Sequence, residues 1–152
     1  MLSHKAKYAL KAMTVLTAEY GKGPILIAEI ASRENIPQNF LELILLDLKN
    51  HRFLDSRKGR GGGYFLARPP AQISVGDVLR AVEGPLALLP CVSKTAYRRC
   101  EECRDERTCA VRLIMRDVRE ATAKILDSAT LEDLVRRARL ETHGTPILDF
   151  SI

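Results

Sequence analysis

The chain has 152 residues, 46% of them hydrophobic and 28% charged, as expected for a globular protein of one compact domain or of a small domain with an appended dimerisation element. No apolar run approaches the roughly 18 residues that suggest a membrane span, and the N-terminus lacks a signal-peptide core, so we expect a cytoplasmic protein that does not bind a membrane. The net charge of +5 lies wholly in residues 1–70, which hold 11 Lys and Arg against 6 Asp and Glu, whereas residues 71–152 hold 13 of each. A basic half of this kind fits either a polyanionic partner or a mildly basic, solvated surface.

Three helices are predicted in the first third of the chain. Ser3 can cap the first helix, which stops at the glycine-rich turn of residues 21–24, and the second occupies the stretch Ile25–Glu34. Pro37 has the fixed φ favoured in a first helical turn and opens the third helix. This helix has the i, i+3, i+4, i+7 spacing of a buried stripe, at Leu41, Ile44, Leu45 and Leu48.

The segment Phe53–Ala67 has the pattern of a β-hairpin. Short strands are predicted at Phe53-Leu54 and Tyr64–Leu66, and the basic, glycine-rich sequence of residues 57–63 connects them. Helix, helix, turn, helix and hairpin is the element order of a winged helix–turn–helix. The predicted fold class is therefore mainly α with a small β-hairpin wing, followed by a long dimerisation helix.

Helices are also predicted near Ser74–Val82, with Ser74 as its cap, over Cys109–Leu126, and over Leu131–Arg139, opened by Thr130. An irregular segment separates the first two. The long middle helix has apolar residues alternating in steps of three and four, at Val111, Ile114, Val118, Ala121 and Ile125. This heptad-like seam favours a dimer interface over packing on its own domain. We therefore divide the chain into a DNA-binding unit (1–70), a sensor loop with dimerisation helices (71–140) and a tail (141–152).

The third helix and the hairpin carry the candidate nucleic-acid contacts. Gln38, Asn39 and Glu42 occupy the start of the helix; Asn or Gln can pair with adenine, and Glu can accept from the cytosine amine. The candidate wing contacts are Arg57, Lys58, Arg60, Gly61 and Gly62. Consecutive glycines weaken a strand, but they allow the backbone to approach another molecule closely. The basic side chains would then lie in or beside the minor groove. Without DNA binding, the polar residues would simply be solvated at a helix start, and the segment of residues 57–63 would be a flexible surface hairpin.

Four cysteines lie within nineteen residues of the irregular segment, at Cys91, Cys100, Cys103 and Cys109. In the cytosol such a group is more often a metal site or a redox switch than a structural disulfide pair. Three interpretations compete: an iron–sulfur cluster, a structural zinc site, and a thiol switch in which neighbouring arginines lower a thiol pKa. The spacing of the cysteines does not clearly favour any one of these three interpretations.

The sequences of residues 36–42, 59–68 and 74–78 closely resemble the Rrf2 family of bacterial transcription regulators. The resemblance runs from Leu2 to about Arg137, and a Gly-Gly-Gly-Tyr wing after an Ile-Pro helix start is a fairly specific marker. It implies a homodimer with a winged helix at each end of a long crossing helix, bound to a two-fold operator on double-stranded DNA. By position, Asn39 and Glu42 match the family's base-reading residues, and Lys58 stands where some members carry a wing arginine.

The resemblance also bears on the cysteines. Cluster-binding members carry three cysteines in this loop, and Cys91, Cys103 and Cys109 match those places. The first interval is longer here, Cys100 is an addition, and Arg112 stands where one branch of the family has a histidine ligand. The resemblance therefore favours a two-iron or four-iron cluster with Cys100 as a further ligand, and zinc or a thiol switch as alternatives. A change in the cluster would reorder the loop and alter the spacing of the recognition helices.

An enzyme is the competing class of function. The three histidines, His4, His51 and His143, are far apart in sequence, and no nucleophile elbow or paired-carboxylate motif appears. The Cys100–Cys103 pair lacks the βαβ context of a thiol redox enzyme. We therefore predict a DNA-binding transcription regulator, a homodimeric repressor with a cluster-controlled affinity, ahead of a metal or cluster carrier or a redox enzyme.

Overall fold

The computed structural model describes residues 2–144, which form a mostly helical fold with one β-hairpin. The helices are α1 (His4–Ala18), α2 (Ile27–Glu34), α3 (Gln38–Asn50), α4 (Val75–Val82), α5 (Ala110–Ser128) and α6 (Leu131–Thr142). The strands β1 (Leu54–Arg57) and β2 (Gly63–Leu66) pair antiparallel, with Leu54 opposite Leu66 and Arg57 opposite Gly63. Short 3-10 turns lie at Pro70–Gln72 and Pro90–Val92. None of the helices in the described range has the length and hydropathy needed to cross a membrane.

Side-chain caps fix the beginnings of three helices, as local sequence predicts. The Ser3 hydroxyl accepts a hydrogen bond from the Ala6 N–H, and the Ser74 hydroxyl accepts one from the Asp77 N–H. Thr130 and Asp133 form a reciprocal capping box at the start of α6. Pro37 lies one residue before α3, as its N-cap, rather than inside its first turn.

Two elements differ from their predicted bounds. Ile25 forms an isolated antiparallel bridge with Tyr64, with N···O distances of 2.9 and 2.8 Å, so α2 starts two residues later than predicted. The bridge gives the hairpin a short third partner and ties it to the segment before α2. The first strand is also displaced and reaches Arg57, which places this basic residue within the strand.

One hydrophobic core unites the N-terminal helices with two later elements. It contains the α3 stripe together with Met13 of α1, Val78 of α4 and Leu131 of α6, each completely buried. The core therefore runs across residue 70, so the boundary of the predicted DNA-binding unit does not coincide with a gap in packing. α6 continues to Thr142, three residues beyond its predicted end, and the rest of the predicted tail, residues 145–152, lies outside the described residues.

We expect Gly63→Ala to destabilise the fold by about 3 kcal/mol, because Gly63 has φ of 142° and a Cβ there would lie 2.2 Å from the Ile25 carbonyl oxygen. Gly61→Ala is the matched control: its φ of 72° brings strain alone, since a Cβ would meet nothing within 4 Å, and about 1 kcal/mol is expected. Urea unfolding followed by circular dichroism measures both. Equal losses in the two variants would contradict the bridge-based explanation.

Candidate nucleic-acid interface and cysteine loop

The polar start of α3 is free of intramolecular packing. Gln38, Asn39 and Glu42 are all exposed, while the stripe on the opposite face of the helix is completely buried. The Gln38 side-chain amide lies 3.5 Å from a carboxylate oxygen of Glu42 and donates a long hydrogen bond to it. The helix thus presents amide and carboxylate groups that can pair with base edges.

Two polar contacts brace α3 in place. Lys5 of α1 forms an ion pair with Asp47 at 2.6 Å, and Lys49 donates a hydrogen bond of 2.6 Å to the Ser56 hydroxyl of β1. The first joins α3 to α1 and the second joins it to the hairpin. The orientation of its exposed face therefore depends on both neighbours.

The exposure of two apolar side chains on α3 was not predicted. Leu43 is 65% exposed and Leu46 is 50% exposed, although the helix is otherwise packed on its apolar side. Both lie off the i, i+3, i+4, i+7 stripe, so the spacing of the apolar residues already indicated that they face away from the core. An exposed aliphatic side chain on a helix that enters the major groove can contact the thymine methyl group.

The wing has an exposed basic tip held by a tight turn. Arg57, Lys58 and Arg60 are exposed, and the Gly62 N–H donates a 3.0 Å hydrogen bond to the Gly59 carbonyl. A Cβ on Gly62 would lie 2.3 Å from the Arg57 carbonyl oxygen. The chain's own fold therefore accounts for Gly62 and Gly63 without an external molecule, whereas Gly59 and Gly61 have open space around them.

Residues 2–144 leave the apolar seam of α5 uncovered. Val111, Ile114, Val118 and Ile125 are between 37% and 65% exposed, and Ala121 is exposed between them. On another face of the helix, Asp127 accepts two hydrogen bonds from Arg80 of α4, at 2.6 and 2.9 Å. Arg80 holds the pKa of this carboxyl below its usual range. α5 is thus fastened to α4 on one side and leaves its apolar stripe free on the other.

The four cysteines are all free thiols but occupy different surroundings. Cys91 is buried in the turn Pro90–Val92, Cys100 is exposed, and Cys109 is the N-cap residue of α5. The Cys109 thiol lies close enough to Cys103 to help raise the pKa of Cys103. Among the described residues, no three Cys, His, Asp or Glu side chains converge on a point that could hold one metal ion.

The thiol pKa values do not follow the arginine effect expected from sequence. A hydrogen bond to Glu102, with the Cys100 sulfur 2.8 Å from the carboxylate, raises the pKa of Cys100. Burial, the Cys109 thiol and Glu106 raise the pKa of Cys103, and Arg99 opposes them only in part. Arginines therefore do not produce a low-pKa thiol at either of these two positions.

Comparisons with known proteins identify the family of this chain. Residues 2–137 match the Rrf2 family, described as iron-dependent transcriptional regulators. This protein belongs to the Rrf2 family. It is 41% identical over 138 residues to an rrf2-like transcriptional regulator of Rhodobacter capsulatus, covering 89% of this chain and 92% of the relative.

Solved structures agree with this membership. CymR, the global cysteine regulator of B. subtilis, superposes with a TM-score of 0.76 at 31% identity, covering 90% of this chain and 97% of CymR. IscR of T. potens superposes with a TM-score of 0.76 at 26% identity, covering 99% of this chain and 96% of IscR. The predicted winged-helix fold class is confirmed, and the Rrf2 protein is a helix–turn–helix transcription regulator rather than an enzyme.

The cysteine loop of this Rrf2 protein fits a cluster in its donor chemistry, because thiolates are the usual ligands of iron–sulfur clusters. Arg112 of α5 donates a 3.2 Å hydrogen bond to the Cys91 carbonyl, which ties the turn that carries Cys91 to the helix that has Cys109 as its N-cap. Cys103 lies near Cys109, whereas Cys100 is exposed. These four thiols are the groups that would hold a cluster.

Proposed function

We propose that this Rrf2 protein acts as a homodimer that represses transcription by binding a two-fold operator, with an affinity set by an iron–sulfur cluster on its cysteine loop. The observation that carries the DNA-binding part is α3: its apolar stripe is completely buried while Gln38, Asn39 and Glu42 are exposed beside a basic hairpin. In this proposal α3 enters the major groove and reads base edges. Arg57, Lys58, Arg60 and the backbone of Gly61 and Gly62 lie along the minor groove and its phosphates.

The contributions of helix and wing can be separated by their salt dependence. Asn39→Ala removes a bidentate contact to a base and should weaken operator binding about tenfold to a hundredfold while leaving non-specific DNA unaffected. Arg60→Ala removes a phosphate contact and should weaken binding to every sequence, with a salt slope smaller by about 1. Fluorescence anisotropy with fragments from around the protein's own gene, at several salt concentrations, measures both effects.

Arg139→Ala is the matched control, since it removes the same charge from an exposed position on α6, outside the proposed surface. It should leave the operator affinity within about twofold of wild type. Unchanged binding by both Asn39→Ala and Arg60→Ala would show that the reading surface is misplaced.

The dimer is supported by the uncovered seam of α5. Four large apolar side chains at heptad-like spacing are exposed on one face, which a soluble chain covers most simply with a second copy of the same helix. Two linked recognition helices match a two-fold operator, and half-site spacing is geometrically strict. The relative position of the two α5 helices would then control affinity.

Ile114→Asp should convert the dimer to a folded monomer, because association would bury an unpaired carboxylate in an apolar seam. We expect the dimer dissociation constant to rise at least about a hundredfold and operator affinity to fall with it. Analytical ultracentrifugation gives the mass, and circular dichroism checks that helicity is retained. Arg116→Asp, on the same helix but off the seam, should remain dimeric; dissociation of both variants or of neither would contradict the assignment.

Control by the cysteine loop is supported by what the loop connects. It joins α4 to α5, and α4 packs against α1 and α3 as well as α5. The double hydrogen bond between Arg80 and Asp127 holds α4 to α5. A rearrangement of the loop would therefore move α5 relative to the DNA-binding helices, and with it the spacing of the two half-sites. When bound, the cluster supplies redox and iron chemistry that thiols lack.

Anaerobically purified protein should be coloured and contain iron and acid-labile sulfide. Cys91→Ser, Cys103→Ser and Cys109→Ser should each lose the visible absorption, because each removes a proposed ligand beside α5. Cys100→Ser should retain most of the iron if the exposed thiol is only an additional ligand. Visible absorption and iron analysis on the full chain measure these outcomes.

A colourless, iron-free protein that remains so after reconstitution would remove the cluster. Stoichiometric zinc would then favour the structural zinc site. The nearness of Cys109 to Cys103 favours the remaining alternative, a thiol switch. In that case peroxide should oxidise two thiols to one disulfide, with reduction of peroxide to water, in Cys91→Ser but not in Cys103→Ser.

A further inference from the structure

A cleft of about 270 Å³ lies between α4, α5 and the segment of residues 86–95. Four cationic side chains line it: Arg80, Lys94, Arg119 and Lys124. Nothing in the proposed DNA-reading surface or the cysteine ligand set uses these residues. The volume is near the lower end of small-molecule sites, so the cleft would take a compact ligand rather than a nucleotide.

Arg119 is the unusual member of this group. Its side chain is nine-tenths buried, although arginine is rarely buried without full pairing. One terminal nitrogen donates a 2.9 Å hydrogen bond to the Glu120 carboxylate. The Nε atom is shielded from solvent and has no acceptor within residues 2–144. A buried N–H without an acceptor is unfavourable, so an acceptor from outside these residues is the simplest explanation.

The charges of the cleft are not balanced by its own acids. Asp127 is engaged by Arg80 in a two-pronged ion pair, and Glu120 is engaged by Arg119. Lys94 and Lys124 have no ion-pair partner in the part of the chain that the structure describes. Two positive charges are therefore available beside a buried guanidinium with a free donor, which is the environment that stabilises an anionic oxygen group.

We propose that this cleft binds a small anion, either an organic carboxylate or a phosphate compound. The anionic oxygens accept from Arg119 and pair with Lys94 and Lys124, and the apolar walls at Leu86 and Ala123 cover a short carbon chain. The same cleft includes the Arg80–Asp127 ion pair between α4 and α5. It also borders the segment of residues 86–95, in which Cys91 lies. An effect of the anion on operator affinity rests on the proposed function, whereas binding of the anion does not.

The test uses the full chain with inorganic phosphate in one arm and acetate and succinate in the other, against sodium chloride at matched ionic strength. Isothermal titration calorimetry should show saturable binding at one site per chain in one arm, and that arm identifies the ligand class. Replacing both exposed lysines, Lys94→Gln with Lys124→Gln, should weaken binding at least about tenfold. The double variant Lys7→Gln with Lys22→Gln carries the same charge change away from the cleft and should bind as wild type.

Arg119→Lys tests the buried donor, since it retains the charge and removes Nε. This substitution should weaken anion binding by a similar factor. Circular dichroism shows whether the variant is folded. If the Arg119→Lys variant does not fold, the lysine variants still test the proposal. No saturable binding by either anion up to about 10 mM, or binding insensitive to the lysine variants, would overturn the proposal. Operator affinity is measured on the same samples: DNA binding without anion binding refutes only this inference, and anion binding without DNA binding refutes only the proposed function.

Discussion

The burial of the α3 stripe against its neighbours is the contact on which the DNA-facing surface depends. A helix with four completely buried aliphatic residues can take only one rotation about its axis, because any other would expose that stripe to water. That rotation turns Asn39 and Glu42 outward. The ion pair from Lys5 and the hydrogen bond from Lys49 to Ser56 then fix the helix against α1 and the hairpin. The exposure of the proposed DNA-reading residues is thus a consequence of how the core is packed.

α4 extends this dependence to the second half of the chain. It contributes Val78 to the core of the DNA-binding helices and Arg80 to the link with α5. Close-packed interiors do not deform continuously, so in the proposed mechanism a displacement of α5 would be passed to α3 through α4 as a rigid shift. The cysteine loop and the cationic cleft both border this junction, and each could bias the same equilibrium by a different chemistry.

The wing shows how a residue pattern can have two explanations. From the sequence, the glycines were predicted to let the backbone approach DNA closely. In the structure, Gly62 and Gly63 instead lie against carbonyl groups of the chain itself. The hairpin is therefore closely packed at Gly62 and Gly63 and open around Gly59 and Gly61, and its basic side chains are exposed near this turn. A turn that the fold itself holds in place loses less conformational entropy on binding than a free one, which favours a specific contact.

Features that depend on near neighbours could be predicted from the order of the residues alone. Periodicity predicted the α3 stripe and the α5 seam, and the capping residues Ser3, Ser74 and Thr130 begin their helices as predicted, because each pattern acts over three or four residues. The chemical character of the site was also predictable, since residue type sets it. The Ile25–Tyr64 bridge, the anchoring of Cys91 by Arg112 and the burial of Arg119 became visible only in the folded chain. Each of these joins segments distant in sequence, and their meeting depends on how the whole core packs, which no local pattern records.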